Sequence, residues 1–340
     1  MKHLAILSLL LGMVIGLTSC NNFSNSLLSA SATTSEALVL MEDAGYNGVA
    51  GEAVKDLLKS PVKGLPQIEP NFTIIQVTPQ NFSSTFKMVR NIVIPEISNI
   101  YTKPSLKADL DKYAMGQLIL QINAPDTATF VKFITENKED IVNYILQKEL
   151  TRTASFVKQQ SGTAQGDLQE MFGINFYYPK GIPNIVKKTD FYWATNNAPQ
   201  ARKDVVVYQY PYKSEKQFEL DSLVKRRNEF LGKYIKGSYN SQMTTATKSY
   251  TPDYRRITAD GLFRAEFRGL WEMTTDMMGG PFVSQAIVNP ITNKIVVAEV
   301  FVFAPESDKR NLIRNLEASL YTLSIYDPAK GNAEKDNKKK

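Results

Sequence analysis

The chain has 340 residues, 43% of them hydrophobic and 22% charged, with a formal net charge of +6, so it can bury a substantial core and is not a solvated tail. Its only histidine is His3 and its only cysteine is Cys20, and both lie in, or at the end of, an N-terminal stretch that reads as a removable signal. The remainder excludes Ser-His-Asp and Cys-His catalysis, zinc sites built on His or Cys, iron–sulfur clusters, His-ligated haem and intrachain disulfides.

Lys2 and His3 precede a 13-residue apolar run, Leu4 to Gly16, and then Leu17-Thr18-Ser19-Cys20. A positive start, a short apolar core and small residues before a cysteine describe a lipoprotein signal. The run is shorter than the roughly 20 residues that span a bilayer. Residues 1–19 are therefore expected to be a cleaved signal peptide. Cys20 is expected to be the lipid attachment site, with diacylglyceryl on its sulfur and an acyl chain such as palmitate on its amine. Three chains make a firm membrane anchor where one would not. The expected location is the cell envelope, in the outer membrane. No acidic run follows Cys20, which favours the leaflet facing the periplasm.

Residues 20–35, rich in Ser, Asn, Thr and Ala, read as a flexible tether with a root-mean-square span of about 20 Å. The positive charge is unevenly placed. The Lys330–Lys340 stretch carries five lysines against Glu334 and Asp336, so residues 327–340 read as a disordered basic tail, and the folded part is close to neutral. Nucleic acid is not an expected partner.

The spacing predicts an N-terminal lobe over residues 36–158. A buried strand at Ala37–Met41 is followed by a helix over Val49–Leu58 that Pro61 stops. Strands at Phe72–Val77, Ile92–Ile97 and Leu118–Ile122 follow, with a short helix over Pro79–Met88. Pro95 places the second of these strands at an edge or bulge. A helix is expected from about Thr127 to Phe156.

A C-terminal lobe is predicted over residues 159–326. It opens with a helix over Gly166–Phe172 and strands at Phe176–Tyr178, Asp190–Ala194 and Asp204–Tyr212. An amphipathic helix spans Lys216–Ile235. After a polar stretch to Asp253, three strands, Leu262–Thr275, Phe282–Val288 and Lys294–Phe303, form a meander. A helix over Lys309–Leu323 closes the lobe. Both lobes end in strand, Ala-Pro, acid, hydroxyl N-cap and helix, with the pairs Asp126-Thr127 and Glu306-Ser307. This fits either an old duplication or a common way of turning a chain. The expected class is α+β, two lobes of antiparallel sheet each covered by amphipathic helices.

Gly64 to Pro70, the Arg90-Asn91 pair, the run Gly269 to Phe282 (GLWEMTTDMMGGPF) and Val302 to Pro305 with Lys309-Arg310 resemble a family of Bacteroidetes envelope lipoproteins defined only by a domain of unknown function. The resemblance implies a compartment and no activity, and it carries no catalytic residues.

Three constellations are candidates for chemistry. Ser84-Thr85-Phe86-Lys87 matches the S-x-x-K nucleophile pattern, but the same pattern recurs at Ser60, Ser155 and Ser222, and the supporting motifs of serine β-lactamases fail: Lys188-Thr189-Asp190 lacks the required glycine. Glu266 and Glu272 share one face of the Leu262 strand, Glu299 lies among apolar residues on its own strand, and Asp276 is near the Gly279-Gly280 turn. These four could supply paired acids for glycan chemistry, or a solvated charge ladder plus one acid neutralised by an arginine. Tyr208, Tyr210 and Tyr212 alternate onto one strand face, as do Phe191 and Trp193. They form either a ligand platform for sugar stacking or a half-buried sheet face.

No cofactor and no metal site is expected, since no calcium loop of the D-x-[DN]-x-[DN]-G type occurs. The reading is a lipid-anchored envelope lipoprotein, a binding or scaffolding module that faces the periplasm and contacts an envelope protein or glycan. The alternative is a carboxylate-dependent glycan-active enzyme.

Overall fold

Apolar runs flanked by turn residues build two sheets, one from each half of the chain. The computed structural model describes residues 27–161, 165–259 and 261–328. The signal segment, Cys20, residues 20–26 of the expected tether and nearly all of the basic tail lie outside them, whereas residues 27–35 of that tether lie against the first half, with Ser29 bridged to Met115, Ser31 to Val89 and Ser35 buried.

The first sheet contains β1 (Glu36–Leu40), β2 (Thr73–Val77), β3 (Asn91–Ile97), β4 (Ser105–Leu110) and β5 (Leu118–Ala124), in the order β2-β1-β3-β5-β4. The class is α+β, but this sheet is mixed, not antiparallel. β1 runs parallel to β2 and β3, and β3 parallel to β5, with only β4 antiparallel to its neighbour. The helices α1 (Asp43–Tyr46) and α2 (Val49–Leu58) lie between β1 and β2, and a crossover of that length returns the chain parallel. The continuous apolar run in β1 fits such a strand better than an alternating one. β4 lies outside the expected elements although Leu106, Ala108 and Leu110 alternate along it; most of its residues are exposed.

Pro95 lies inside β3, in the middle of the sheet. Pairing of β1 with β3 stops at Val93, so Pro95 has a neighbour only in Ile122 of β5, and its missing N–H leaves no partner on the β1 side unsatisfied. The short helix α3 (Ser84–Lys87) follows a 3-10 turn at Pro79–Asn81. The single helix expected from Thr127 is two, α4 (Thr127–Glu136) and α5 (Lys138–Gln160). The break is made by Asn137, whose backbone N–H and Nδ2 both donate to the Phe133 carbonyl, at 3.1 and 2.8 Å. α2, α4 and α5 cover one face through Val54, Leu57, Phe130 and Ile145.

The second sheet is antiparallel throughout. It holds β7 (Asn184–Lys188), β8 (Phe191–Thr195), β9 (Arg202–Pro211), β10 (Met243–Thr245), β12 (Leu262–Met273), β13 (Gly279–Asn289) and β14 (Lys294–Phe303), in the order β10-β12-β13-β14-β9-β8-β7. A further strand, β11 (Asp253–Ala259), pairs with β12 beyond β10. The expected strand at Phe176–Tyr178 is absent. Its neighbour β6 (Ile174–Asn175) pairs instead with β15 (Ser324–Ile325). β7 and β11 escape the sequence reading because partial exposure breaks the apolar alternation, and β10 because its three residues are too few to show a period.

The two faces of this sheet have separate cores. α7 (Leu220–Tyr234) covers the face of Val206, Tyr208, Phe267, Ala286 and Val297. α6 (Gln165–Phe172) and α8 (Arg310–Leu320) cover the face of Val207, Val283, Ile287 and Ala298. Gly280 is needed for closeness, because a Cβ there would fall 2.1 Å from the Val302 carbonyl oxygen and 3.2 Å from Trp271 Nε1.

α8 also packs on α5 and so joins the halves. Its N-terminus is not capped by Ser307. The Lys309 and Arg310 amides donate to the two carboxylate oxygens of Glu69, at 2.7 and 2.9 Å. In the first half the cap is Asp126 itself, which accepts from the Thr129 amide at 2.8 Å. Neither expected hydroxyl cap is used, since a carboxylate meets the helix dipole more strongly than a neutral oxygen does.

Candidate functional site

A cleft of about 520 Å³ opens between the halves. One wall is α5, which presents Val142, Leu146 and Leu150 at helical spacing beside Glu139, Asn143 and Gln147. The opposite wall is β11. The Ser60–Lys63 turn and α8 close it.

Its base is an ionic cluster carried by β12 and α8. Alternation along β12 puts Arg264, Glu266 and Arg268 on the α8 face. The period of α8 brings Arg314, Glu317 and, just beyond its end, Tyr321 toward them. Glu266 is 1% exposed and accepts from Arg255 Nε at 2.7 Å, Arg268 Nη2 at 3.2 Å and Gln285 Nε2 at 2.8 Å. The same Arg268 nitrogen donates to Glu317 at 2.5 Å, so one guanidinium bridges two buried acids. Arg264 holds Leu320 and Leu323 carbonyls at 2.8 Å each, which satisfies the end of α8. Arg314 donates to Ser35 Oγ, to the Asn71 carbonyl and to Asn71 Oδ1.

Burial opposes charge on Glu266, but Arg268, Arg255 and the Gln285 amide outweigh it and hold the carboxyl below its ordinary value of 4.5. Burial likewise works against Arg268, yet Glu317 and Glu266 keep its guanidinium above the usual range. Arg314 goes the other way, its burial taking it down to about 10. Burial raises the Tyr321 phenol, and the nearby charges of Glu266 and Glu317 raise it further. The cluster is therefore charged and internally bonded.

The four candidate acids do not converge. Glu266 lies at the base of the cleft. Glu299 is on the opposite, α7 face of the same sheet, fully buried against Arg227 of α7, whose Nε and Nη2 reach it at 2.8 to 3.1 Å. Glu272 is exposed further along β12, and Asp276 accepts from the Ser238 amide at 2.8 Å. Two acids flanking one scissile bond require a shared space, and the sheet itself separates Glu266 from Glu299.

The aromatic platform is covered. Tyr208, Tyr210 and Phe191 do share a face, but α7 lies on it. Phe230 stacks on Tyr208 at 4.7 Å and Tyr234 on Phe191 at 4.5 Å. Burial raises the Tyr210 phenol to about 12. Trp193, half-buried, donates to Asp204 at 2.9 Å, and Tyr212 packs near Phe218. An amphipathic helix thus occupies the apolar face of Phe191, Tyr208 and Tyr210, while Trp193 and Tyr212 stay half-buried. Ser84 is exposed, and the Lys87 ammonium lies over the rings of Tyr113 and Phe82, at 5.5 and 5.8 Å.

Arg255, Arg314, Glu317, Tyr321 and the whole of β11 were missed. A signal for two of them existed: Arg314 and Glu317 interrupt an otherwise apolar helical face. For β11 there was none. Among the described residues no group of His, Cys, Asp or Glu could hold a metal ion, and no described helix is long and apolar enough to cross a membrane.

The fold is that of an α+β protein with two large sheets and a cleft between its halves. Residues 161–322 match the domain of unknown function DUF4837, and residues 30–158 match the domain of unknown function DUF8532. Both are families defined only by a domain of unknown function. No curated protein matches the chain. Among solved structures, a mutant of protein Mog1 is similar over 46% of this chain and 93% of its own, at 10% identity and a TM-score of 0.29. The Ran-binding protein Mog1p of Saccharomyces cerevisiae is similar over 46% and 92%, at 11% identity and the same score. A likeness at that score carries no argument about fold or function.

Proposed function

We propose that this chain is a lipid-anchored lipoprotein of the outer membrane, and that it binds an envelope partner in the cleft between its lobes, on the periplasmic side. The observation that carries the binding reading is the cleft itself. It joins apolar helix residues to a rigid ionic base, the mixture typical of recognition sites, and the acids of that base, Glu266 and Glu317, are bonded to arginines. The signal-like Leu17–Cys20 stretch supports the anchor. The short tether supports a site held close to the membrane.

The test is crosslinking capture from intact envelopes, with protein and glycan fractions both analysed, using the native chain and a Gln147→Trp variant that fills the cleft from the exposed face of α5. A partner recovered with the native chain and lost with the variant is the expected result. Capture that is indifferent to the substitution would overturn the cleft as the site.

A further inference from the structure

β11 is an edge strand within a cleft. It pairs with β12 on one side only, and its register shows which backbone groups are left over. Ala259 pairs with Leu262 across a two-residue turn, so that pair must be of the mutually hydrogen-bonded type, and the pattern alternates from there. Asp253, Arg255, Ile257 and Ala259 spend their amides and carbonyls on β12. Tyr254, Arg256 and Thr258 point theirs away from it, and no described backbone group pairs with them. Residues of both strand faces, Arg255 and Ile257 on one and Tyr254 and Thr258 on the other, line the same cleft. That occurs only when the strand is presented edge-on.

A row of unpaired, alternately spaced N–H and C=O groups is complementary to another strand and to little else. We propose that the cleft binds an extended peptide segment that adds to β11 as a further strand, with alternate apolar side chains facing Val142, Leu146 and Leu150 of α5. This rests on the cleft-binding reading above and specifies its ligand class. The seven residues of β11 offer about 23 Å of edge. Charge selects the occupant. Arg255 is already paired with Glu266, so the positive charge on the edge comes from the exposed Arg256, and Lys138 lies at the mouth with no acidic partner among the described residues. That pattern disfavours pairing with a second copy of the same edge and suits a peptide carrying an acid beside its apolar residues.

The experiment pans phage-displayed random dodecapeptides on the full mature chain and synthesises the best binder in two N-methylated forms, one blocking each alternate set of peptide amides. Strand addition predicts enrichment of alternating apolar sequences. It also predicts that one N-methyl form loses at least about tenfold in affinity while the other binds nearly as well as the parent. Arg256→Pro, which removes an outward N–H that β12 does not use, should weaken the parent peptide similarly without lowering the Tm. Failure to enrich any peptide, or equal binding by both N-methyl forms, would overturn the proposal. A glycan captured from envelopes and lost in Gln147→Trp would also overturn it, while leaving the cleft as the binding site.

Discussion

Arg227 of α7 and Glu299 of β14 form a closed pair at the centre of the second sheet. Nε lies 3.1 and 2.9 Å from the two carboxylate oxygens, and Nη2 lies 2.8 Å from Oε1, with both side chains fully buried. The guanidinium also lies 3.9 Å from the centroid of the Phe282 ring and donates to Thr245 Oγ1 at 3.0 Å.

Removing one member of that pair strands the other charge in an apolar core. Glu299→Leu should cost about 3–5 kcal/mol of unfolding free energy, and the double change Arg227→Met, Glu299→Leu should recover most of it. Urea unfolding of the three proteins measures this. A double variant no more stable than Glu299→Leu would show that the pair contributes net stability.

Glu266 makes stability depend on pH. Its carboxyl is held below 4.5 in the folded chain, while the unfolded chain takes up the proton near the ordinary value. Its contribution is therefore fully present well above pH 4.5 and is lost as pH falls through that value toward the folded pKa. Thermal melts from pH 7 to pH 3 should show a Tm that falls below about pH 4.5. Glu266→Gln should be less stable at pH 7 and should have a shallower acid slope.

Glu69 ties the halves together by capping α8 across the interface. Glu69→Ala removes two charge-assisted bonds to the Lys309 and Arg310 amides and should cost about 1.5–3 kcal/mol. Glu69→Gln, which keeps an acceptor, should cost less. Limited proteolysis should cut the Ala variant faster than the native chain, and an unchanged rate would show that the cap is dispensable for holding the lobes.

Cys20→Ala should move the protein from the membrane fraction to the soluble fraction of lysed cells. Retention in the membrane fraction would remove the lipid anchor from the proposed function.

The sequence by itself determined the elements whose side chains repeat at one period. β12, β13 and β14, α7 and the final helix were legible because each buries one face or both, and local spacing records burial directly. It also showed that Glu299 stood among apolar residues and that the tyrosines of β9 shared a face. What each of these faces met was decided by tertiary structure. Arg227 is 72 positions from Glu299 in the chain, and α7 covers the tyrosines because two apolar faces exclude water together wherever the chain allows them to meet. The cleft is assembled from residues 60–63, α5, β11 and α8, and its strand wall was illegible because an edge strand leaves half its backbone and much of its side-chain surface in water, which erases the alternation that marks a strand. The parallel pairing of the first sheet was decided by the crossover through α2, a matter of chain path. Periodicity reports which side of an element is dry; only the folded chain specifies what keeps it so, and which backbone groups are left to bind something else.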